Sequence, residues 1–214
     1  MKKIGIIGSG VVAKTLGEGF LKHGYQVMLG TRNANKLAEW LNTEGGGANA
    51  GTFSEAAAFG DIVILAVKGT VAKSALDLAG VENLKGKTVI DATNPIADAA
   101  PVNGVLKYFT EMNHSLMEQL QAAFPEARFV KAFNSVGSAF MVNPSFESKP
   151  TMFICGNNKE AKSEVKEILT QFGWETADFG MVESAGAIEA LCMLWCIPGI
   201  AKNEWSHAFK LLKL

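Results

Sequence analysis

The chain has 214 residues, 48% of them hydrophobic and 19% charged, and a formal net charge of −1. That length suits one domain with a modest extension: a single unit over 1–214, with a core over 1–180 and a helical extension over 181–214. The balanced charge excludes broad attraction to nucleic acid or to an anionic membrane surface, so the expected partners are small molecules.

In chain order, Lys3 to Ile7 reads as a buried strand. Gly8-Ser9-Gly10-Val11-Val12-Ala13 follows at once, and then a helical stretch from Lys14 to Lys22. This is the G-x-G-x-x-A form of a dinucleotide fingerprint, placed between a strand and a helix. Gly8 permits the tight turn, Gly10 lets a pyrophosphate approach the backbone, and Ala13 lets the helix lie close on the strand. The helix amino end then offers free N–H groups and a partial positive charge to the diphosphate. The next strand, Gln26 to Leu29, runs into Gly30-Thr31-Arg32-Asn33. An NAD enzyme holds the ribose 2′-hydroxyl with an Asp or Glu there; this chain has a hydroxyl, a guanidinium and an amide. Arg32 can fork onto a 2′-phosphate and Thr31 can donate a hydroxyl bond to it. Bonds to charged groups are worth about 1.5–3 kcal/mol each, so two of them give roughly 100-fold preference for NADPH over NADH. Lys36 either adds to that charge or is a solvated lysine on the next helix.

A polar helix is expected over Asn35 to Thr43, a short strand near Ala50 to Thr52, and a helix from Ser54. Asp61 to Val67 is a buried strand, Thr70 to Leu78 a helix, and Thr88 to Thr93 a strand ending at Asn94-Pro95. The segment Ile96 to Asn113 lacks strong periodicity. Ser115 to Phe124 is an amphipathic helix ended by Pro125. Strands follow at Arg128 to Phe133, Thr151 to Gly156 and Glu175 to Asp178, with a helix over Lys159 to Phe172 before the last of them. Helices over Ser184 to Trp195, stopping near Pro198, and over Lys202 to Leu212 complete the chain. β-branched runs alternating with helices give an α/β, Rossmann-type, doubly wound and mainly parallel sheet.

In such a sheet the ligand lies beyond the carboxyl ends of the strands. The later strand ends therefore add Ala66, Val67, Lys68, Asn94, Pro95 and Asn134 to the candidate cofactor-binding residues. Val67 and Pro95 suit the ribose and nicotinamide path; Lys68 reaches a phosphate or is solvated. The amides of Asn94 and Asn134 suit a carboxamide or a bound acceptor, and each also suits a turn bonding its own backbone. Cys155, Cys192 and Cys196 lack zinc-ligand spacing and read as reduced thiols. With no secretory pattern at the start, a cytoplasmic protein is expected. The apolar stretch from Ala185 to Ala201 is interrupted by Glu189 and Pro198 and is expected to face a core rather than cross a bilayer. The apolar C-terminal helices suggest a homodimer, with Trp195, Trp205 and Phe209 either at its interface or on the chain's own sheet.

Taken together, Ile4-Gly5-Ile6-Ile7-Gly8-Ser9-Gly10, Gly30-Thr31-Arg32, Ile90-Asp91-Ala92-Thr93-Asn94-Pro95 and Val130-Lys131-Ala132-Phe133-Asn134-Ser135 resemble the NADPH-dependent deazaflavin (coenzyme F420) reductases. The resemblance spans nearly the whole chain and implies hydride exchange between NADP(H) and a deazaflavin. It extends to the cytosolic domain of the six-transmembrane metalloreductases, which implies FMN or FAD as other acceptors. The resemblance maps Gly8 to Val12, Thr31 and Arg32 onto NADP-binding positions, and Val67, Asn94, Pro95 and Asn134 onto the nicotinamide side. The long 96–113 loop departs from it.

Reductases of hydroxy acids and imines close their site with a large helical second domain, and the hydroxyacid enzymes place a Lys on it as general acid. Only about 35 residues follow Phe179, and Ser184 to Trp195 holds Glu189 but no Lys, Arg or His. Hydride transfer between planar rings needs alignment more than an acid, so no catalytic side chain is named. An NADP(H)-sensing regulator without turnover and a small carbonyl or imine reductase are the alternatives.

Overall fold

The computed structural model describes residues 2–33 and 35–213. The main sheet is wholly parallel, with strands β1 (Lys3–Ile7), β2 (Gln26–Gly30), β3 (Asn49–Gly51), β4 (Ile62–Leu65), β5 (Thr88–Asp91) and β6 (Arg128–Lys131) in the order β3-β2-β1-β4-β5-β6. The order reverses between β1 and β4, which places the switch point of a doubly wound sheet at the end of β1. Ile4, Ile6, Ile62, Val63, Ile64, Val89 and Ile90 are fully buried, because helices cover both faces and every β1 and β4 side chain beyond Lys3 finds an apolar neighbour.

Helix α1 (Val11–Lys22) buries Ala13, Leu16 and Phe20 on one face of the sheet. Phe20 meets Phe172 at 4.8 Å between ring centroids, and Phe172 meets Phe133 at 6.0 Å. Aromatic pairs of this kind add about 0.5–1.5 kcal/mol each beyond the area they bury. Helix α2 (Asn35–Asn42) rests Leu37 and Trp40 on the same core. On the other face lie α3 (Phe53–Phe59), α4 (Ala72–Ala79), α5 (Val81–Leu84) and α6 (Leu116–Ala123). Capping boxes start α3 and α6: Thr52 and Ser115 accept from the N–H groups of Glu55 and Glu118, whose carboxylates reach back to the cap backbones.

A second, two-stranded parallel sheet, β7 (Thr151–Ile154) and β8 (Glu175–Asp178), packs with α7 (Lys159–Gln171) and meets β6 through a bridge between Lys131 and Cys155. Several strands stop earlier than periodicity suggests. β6 ends at Lys131 because Phe133 takes a left-handed backbone, φ +62°, and turns the chain out of the ladder.

The C-terminal region departs most from expectation. One helix, α8 (Ala185–Lys202), continues through Pro198 and ends at Asn203, φ +59°. Proline removes one N–H and strains the preceding turn without ending the helix. By length and hydropathy the segment Val182–Lys202 matches a membrane span, yet Ile188, Glu189, Cys192 and Trp195 pack against the chain's own core. The helix expected over Lys202 to Leu212 does not form; residues 203–213 are an irregular strap. Its backbone finds partners elsewhere: Phe209 O accepts from Thr151 N at 2.9 Å, and Leu211 N donates to Thr151 Oγ1 at 3.1 Å. Trp205 and His207 close over Trp195, with ring centroids 5.5 and 5.0 Å away. These tertiary contacts outweigh local helix propensity. The loop 96–113 folds back on itself through antiparallel bridges and reaches α8 by a 2.6 Å bond from Tyr108 Oη to the Glu189 carbonyl.

Candidate functional site

A cavity of about 720 Å³ crosses the carboxyl ends of β2, β1, β4 and β5. Gly8, Ser9, Gly10, Val11, Val12, Thr31, Arg32, Asn33, Lys36, Ala66, Val67 and Lys68 line it, as the sequence suggests. Phe53, Val71 and Ala92 join them. Phe53 was readable only once β3 is known to lie beside β2, since its place at the start of α3 brings it to the same crevice.

The glycine turn is shaped by close approach on one side and open space on the other. Gly8 has φ +145°, and a Cβ there would sit 2.2 Å from the Ala66 carbonyl oxygen. Gly10 caps α1 in extended backbone, and a Cβ there would meet nothing within 4 Å. No side chain caps α1 and no acidic residue occupies its first turn. Its leading N–H groups therefore face the cavity unmatched, a ready anion site.

At the β2 end, Arg32 and Lys36 are exposed and, among the described residues, form no ion pair. Thr31 differs from its expected role. It is 7% exposed, and its hydroxyl lies 3.1 Å from Ser9 Oγ and from the Asn33 carbonyl while accepting from Asn33 N. The hydroxyl ties the β2 end to the glycine turn. Lys68 is held loosely by Asp98 at 3.3 Å, both side chains exposed; such a pair is worth little.

Asn94, Pro95 and Asn134 are not among the residues lining this cavity. Pro95 is buried, and its carbonyl accepts from Phe109 N, which anchors the 96–113 loop. Asn94 and Asn134 instead form a pair just beyond Ala92. Asn94 Nδ2 donates to the Asn134 carbonyl at 2.8 Å; Asn134 Nδ2 donates to Asn94 Oδ1 at 3.1 Å and to the Ile188 carbonyl at 2.9 Å. Asn134 Oδ1 is buried without a partner among the described residues.

Beneath this pair lies a group that sequence reasoning missed. Lys131, wholly buried, donates to Asp91 Oδ2 at 2.7 Å and to the Thr93 carbonyl at 3.0 Å, and lies 3.0 Å from Glu189 Oε1. Glu189 also accepts from the N–H groups of Leu116 and Met117 at 3.1 and 3.0 Å, the amino end of α6. Burial opposes the charge on Lys131, but the carboxylates of Asp91 and Glu189 outweigh it and hold the ammonium above its ordinary range. Burial pushes the neighbouring Cys155 thiol up to about 12, so it stays protonated. The only signals were charged residues inside apolar strands and an apolar helix; nothing in their spacing pairs them.

Cys192 and Cys196 share a face of α8, Sγ to Sγ 4.0 Å, and are free thiols. The titratable residues lining the cavity are Arg32, Lys36 and Lys68, all cationic; no carboxylate, histidine or thiol is among the lining residues.

The model of the family described as NADP oxidoreductase, coenzyme F420-dependent, matches residues 3–95. A candidate F420-dependent NADP-reductase from Arthrobacter sp. FB24, solved by crystallography, superposes with a TM-score of 0.93 and 30% identity, each chain covered over 100% of its length. The chain belongs to the coenzyme F420-dependent NADP oxidoreductase family. It is similar as well to the F420-dependent NADP reductase of Methanocaldococcus jannaschii, 30% identical over 65% of this chain and 62% of that one. Metalloreductase STEAP3 of Rattus norvegicus is 29% identical over 88% of this chain, which spans 36% of that protein's length. As a member of this family the protein is an NADP-dependent oxidoreductase with a Rossmann-type fold. That membership agrees with the cavity as built: open space at Gly10 beside the α1 start, and cations at the β2 end that form no ion pair among the described residues.

Proposed function

We propose that NADP(H) lies along the cavity with its 2′-phosphate on Arg32 and Lys36, its diphosphate on the α1 amino end, and its nicotinamide toward Ala92 and the Asn94–Asn134 pair. The observation that carries this reading is the pairing of an open, uncapped helix start at Gly10 with exposed, unpaired cations and no carboxylate at the β2 end. We further propose that the hydride passes to a deazaflavin, with FMN or FAD as the other candidate acceptors. The bound dinucleotide supplies the hydride. The chain binds and aligns it, and Val67 and Ala92 offer apolar walls to the reacting end. Support for a planar redox acceptor is that the lining residues include no carboxylic acid, histidine or thiol and that their lysines, Lys36 and Lys68, are exposed; ring-to-ring hydride transfer needs alignment more than a positioned acid.

Purified protein mixed with NADPH and, in turn, a deazaflavin, FMN, FAD and a panel of carbonyls and imines tests the reading, followed by loss of the reduced nicotinamide absorbance. Turnover with one of the ring acceptors is expected. Tight NADPH binding with no acceptor reduced would favour a redox-sensing regulator instead, and reduction of a carbonyl or imine alone would replace the acceptor assignment.

A further inference from the structure

Helix α8 carries a single charged residue between Ala185 and Ala201, Glu189, and that residue is 1% exposed. An apolar residue there would avoid the desolvation of a carboxylate. What it would not supply is direction. A helix apolar on nearly every face can slide or rotate on its bed at little cost, whereas Glu189 must meet Lys131 Nζ and the Leu116 and Met117 N–H groups together. Its own carbonyl takes the Tyr108 hydroxyl, and the carbonyl one residue earlier, on Ile188, takes Asn134 Nδ2.

Asn134 is held with equal care. It follows Phe133, a bulky residue at φ +62°, a backbone that persists only where surroundings enforce it. Its Nδ2 is committed to Ile188 and Asn94, which fixes the amide orientation, since a flipped amide would set oxygen against the Ile188 carbonyl. What remains is Oδ1, buried without a partner among the described residues. A buried orphan acceptor is costly and calls for a donor that the described residues do not supply. A nicotinamide carboxamide carries such a donor; Asn134 lies outside the cavity lining, so the pair must open toward the cavity for the two to meet.

We propose that Glu189 is a positioning residue: by fixing the register of α8 it sets the Ile188 carbonyl, and through it the Asn134–Asn94 pair that orients the nicotinamide. The inference rests on the NADP(H) placement above. It assigns a task in the reaction to a residue remote from the glycine turn, and to the C-terminal helix as a whole.

The test separates the two halves of the dinucleotide. Binding of NADPH and of 2′,5′-ADP, which lacks the nicotinamide, is measured by calorimetry for the wild type, Glu189→Gln, Asn134→Ala and the double variant, together with the nicotinamide fluorescence gained on binding. Gln is isosteric, but its NH₂ faces a donor at one of the Glu189 contacts, so α8 must shift. Glu189→Gln should weaken NADPH about tenfold, one good hydrogen bond's worth, and reduce the fluorescence gain, while 2′,5′-ADP binding stays within about twofold. Asn134→Ala should give the same split, and the double variant should be no worse than Asn134→Ala alone, because both act through one contact. Equal weakening of both ligands in Glu189→Gln would show a merely structural role and overturn the proposal, as would additive losses. Should Glu189→Gln fail to fold, Asn134→Ala still decides: unchanged NADPH binding overturns it. A wild type that binds neither ligand would instead refute the placement of NADP(H), and the inference with it.

Discussion

The β2 end of the cavity and the buried region beyond its β5 end are built on opposite physical terms. At the β2 end, Arg32 and, on α2, Lys36 stand in solvent, and the Thr31–Ser9 contact ties that end to the glycine turn. Beyond the β5 end, the Asn94–Asn134 pair follows strands that carry a buried charged group, Lys131, Asp91 and Glu189, drawn from β6, β5 and α8. Exposed cations cost little to hold and act through contact with a ligand. Buried ones cost much, and removing one partner strands the others. The first end should therefore lose binding without losing stability, and the second should lose both.

The largest effect should come from Lys131→Met, which strands two carboxylates in the core: about 3–5 kcal/mol of stability, read by denaturant titration. Arg32→Ala, tested beside it, should stay within about 0.5 kcal/mol of the wild type. Comparable losses in both would erase the contrast.

Next, Gly10→Ala should leave the melting temperature nearly unchanged, because its Cβ meets no protein atom within 4 Å, yet abolish most NADPH affinity by filling the diphosphate space. Gly8→Ala, with φ +145° and a contact of 2.2 Å, should lose both. Arg32→Ala should weaken NADPH about 10- to 100-fold in calorimetry and leave NADH near its starting value, since only the 2′-phosphate contact is lost. Equal loss for the two cofactors would remove the 2′-phosphate from Arg32.

A pH series sharpens the buried end. Lys131 is raised in the folded protein, so its stabilising contribution is complete below the ordinary lysine value of 10.5 and is lost as pH climbs through the higher folded value. The stability difference between wild type and Lys131→Met should hold constant to about pH 10 and shrink above it. Asn158→Ala gives the smallest expected effect: its side chain caps α7 by accepting from Ala161 N, worth about 1 kcal/mol, and α7 supplies no residue to the cavity lining, so binding should not move.

Much of the molecule was legible in the chain because its signals are local. β1, the glycine turn and α1 are contiguous, and a G-x-G-x-x-A turn constrains its neighbours through sterics alone. The alternation of apolar runs and amphipathic stretches specified a parallel sheet, and the rule that ligands gather at strand carboxyl ends placed twelve of the candidate residues on the cavity. The strap at 203–213 was not legible, because the partner that takes its backbone bonds, Thr151, lies far away in sequence. Nor was the hydroxyl of Thr31, whose partner Ser9 sits on another strand end.

By itself, then, the sequence determined the order of the strands' signals, the nucleotide turn and the basic, carboxylate-free β2 end, all of which depend on neighbours within a few residues. Only the tertiary structure decided that Lys131, Asp91 and Glu189 meet, that Asn134 is aimed by the Ile188 carbonyl, and that α8 runs on through Pro198. The physical reason is that a buried charge reveals its partner only when the chain has folded around it, and that partner can lie anywhere along the sequence.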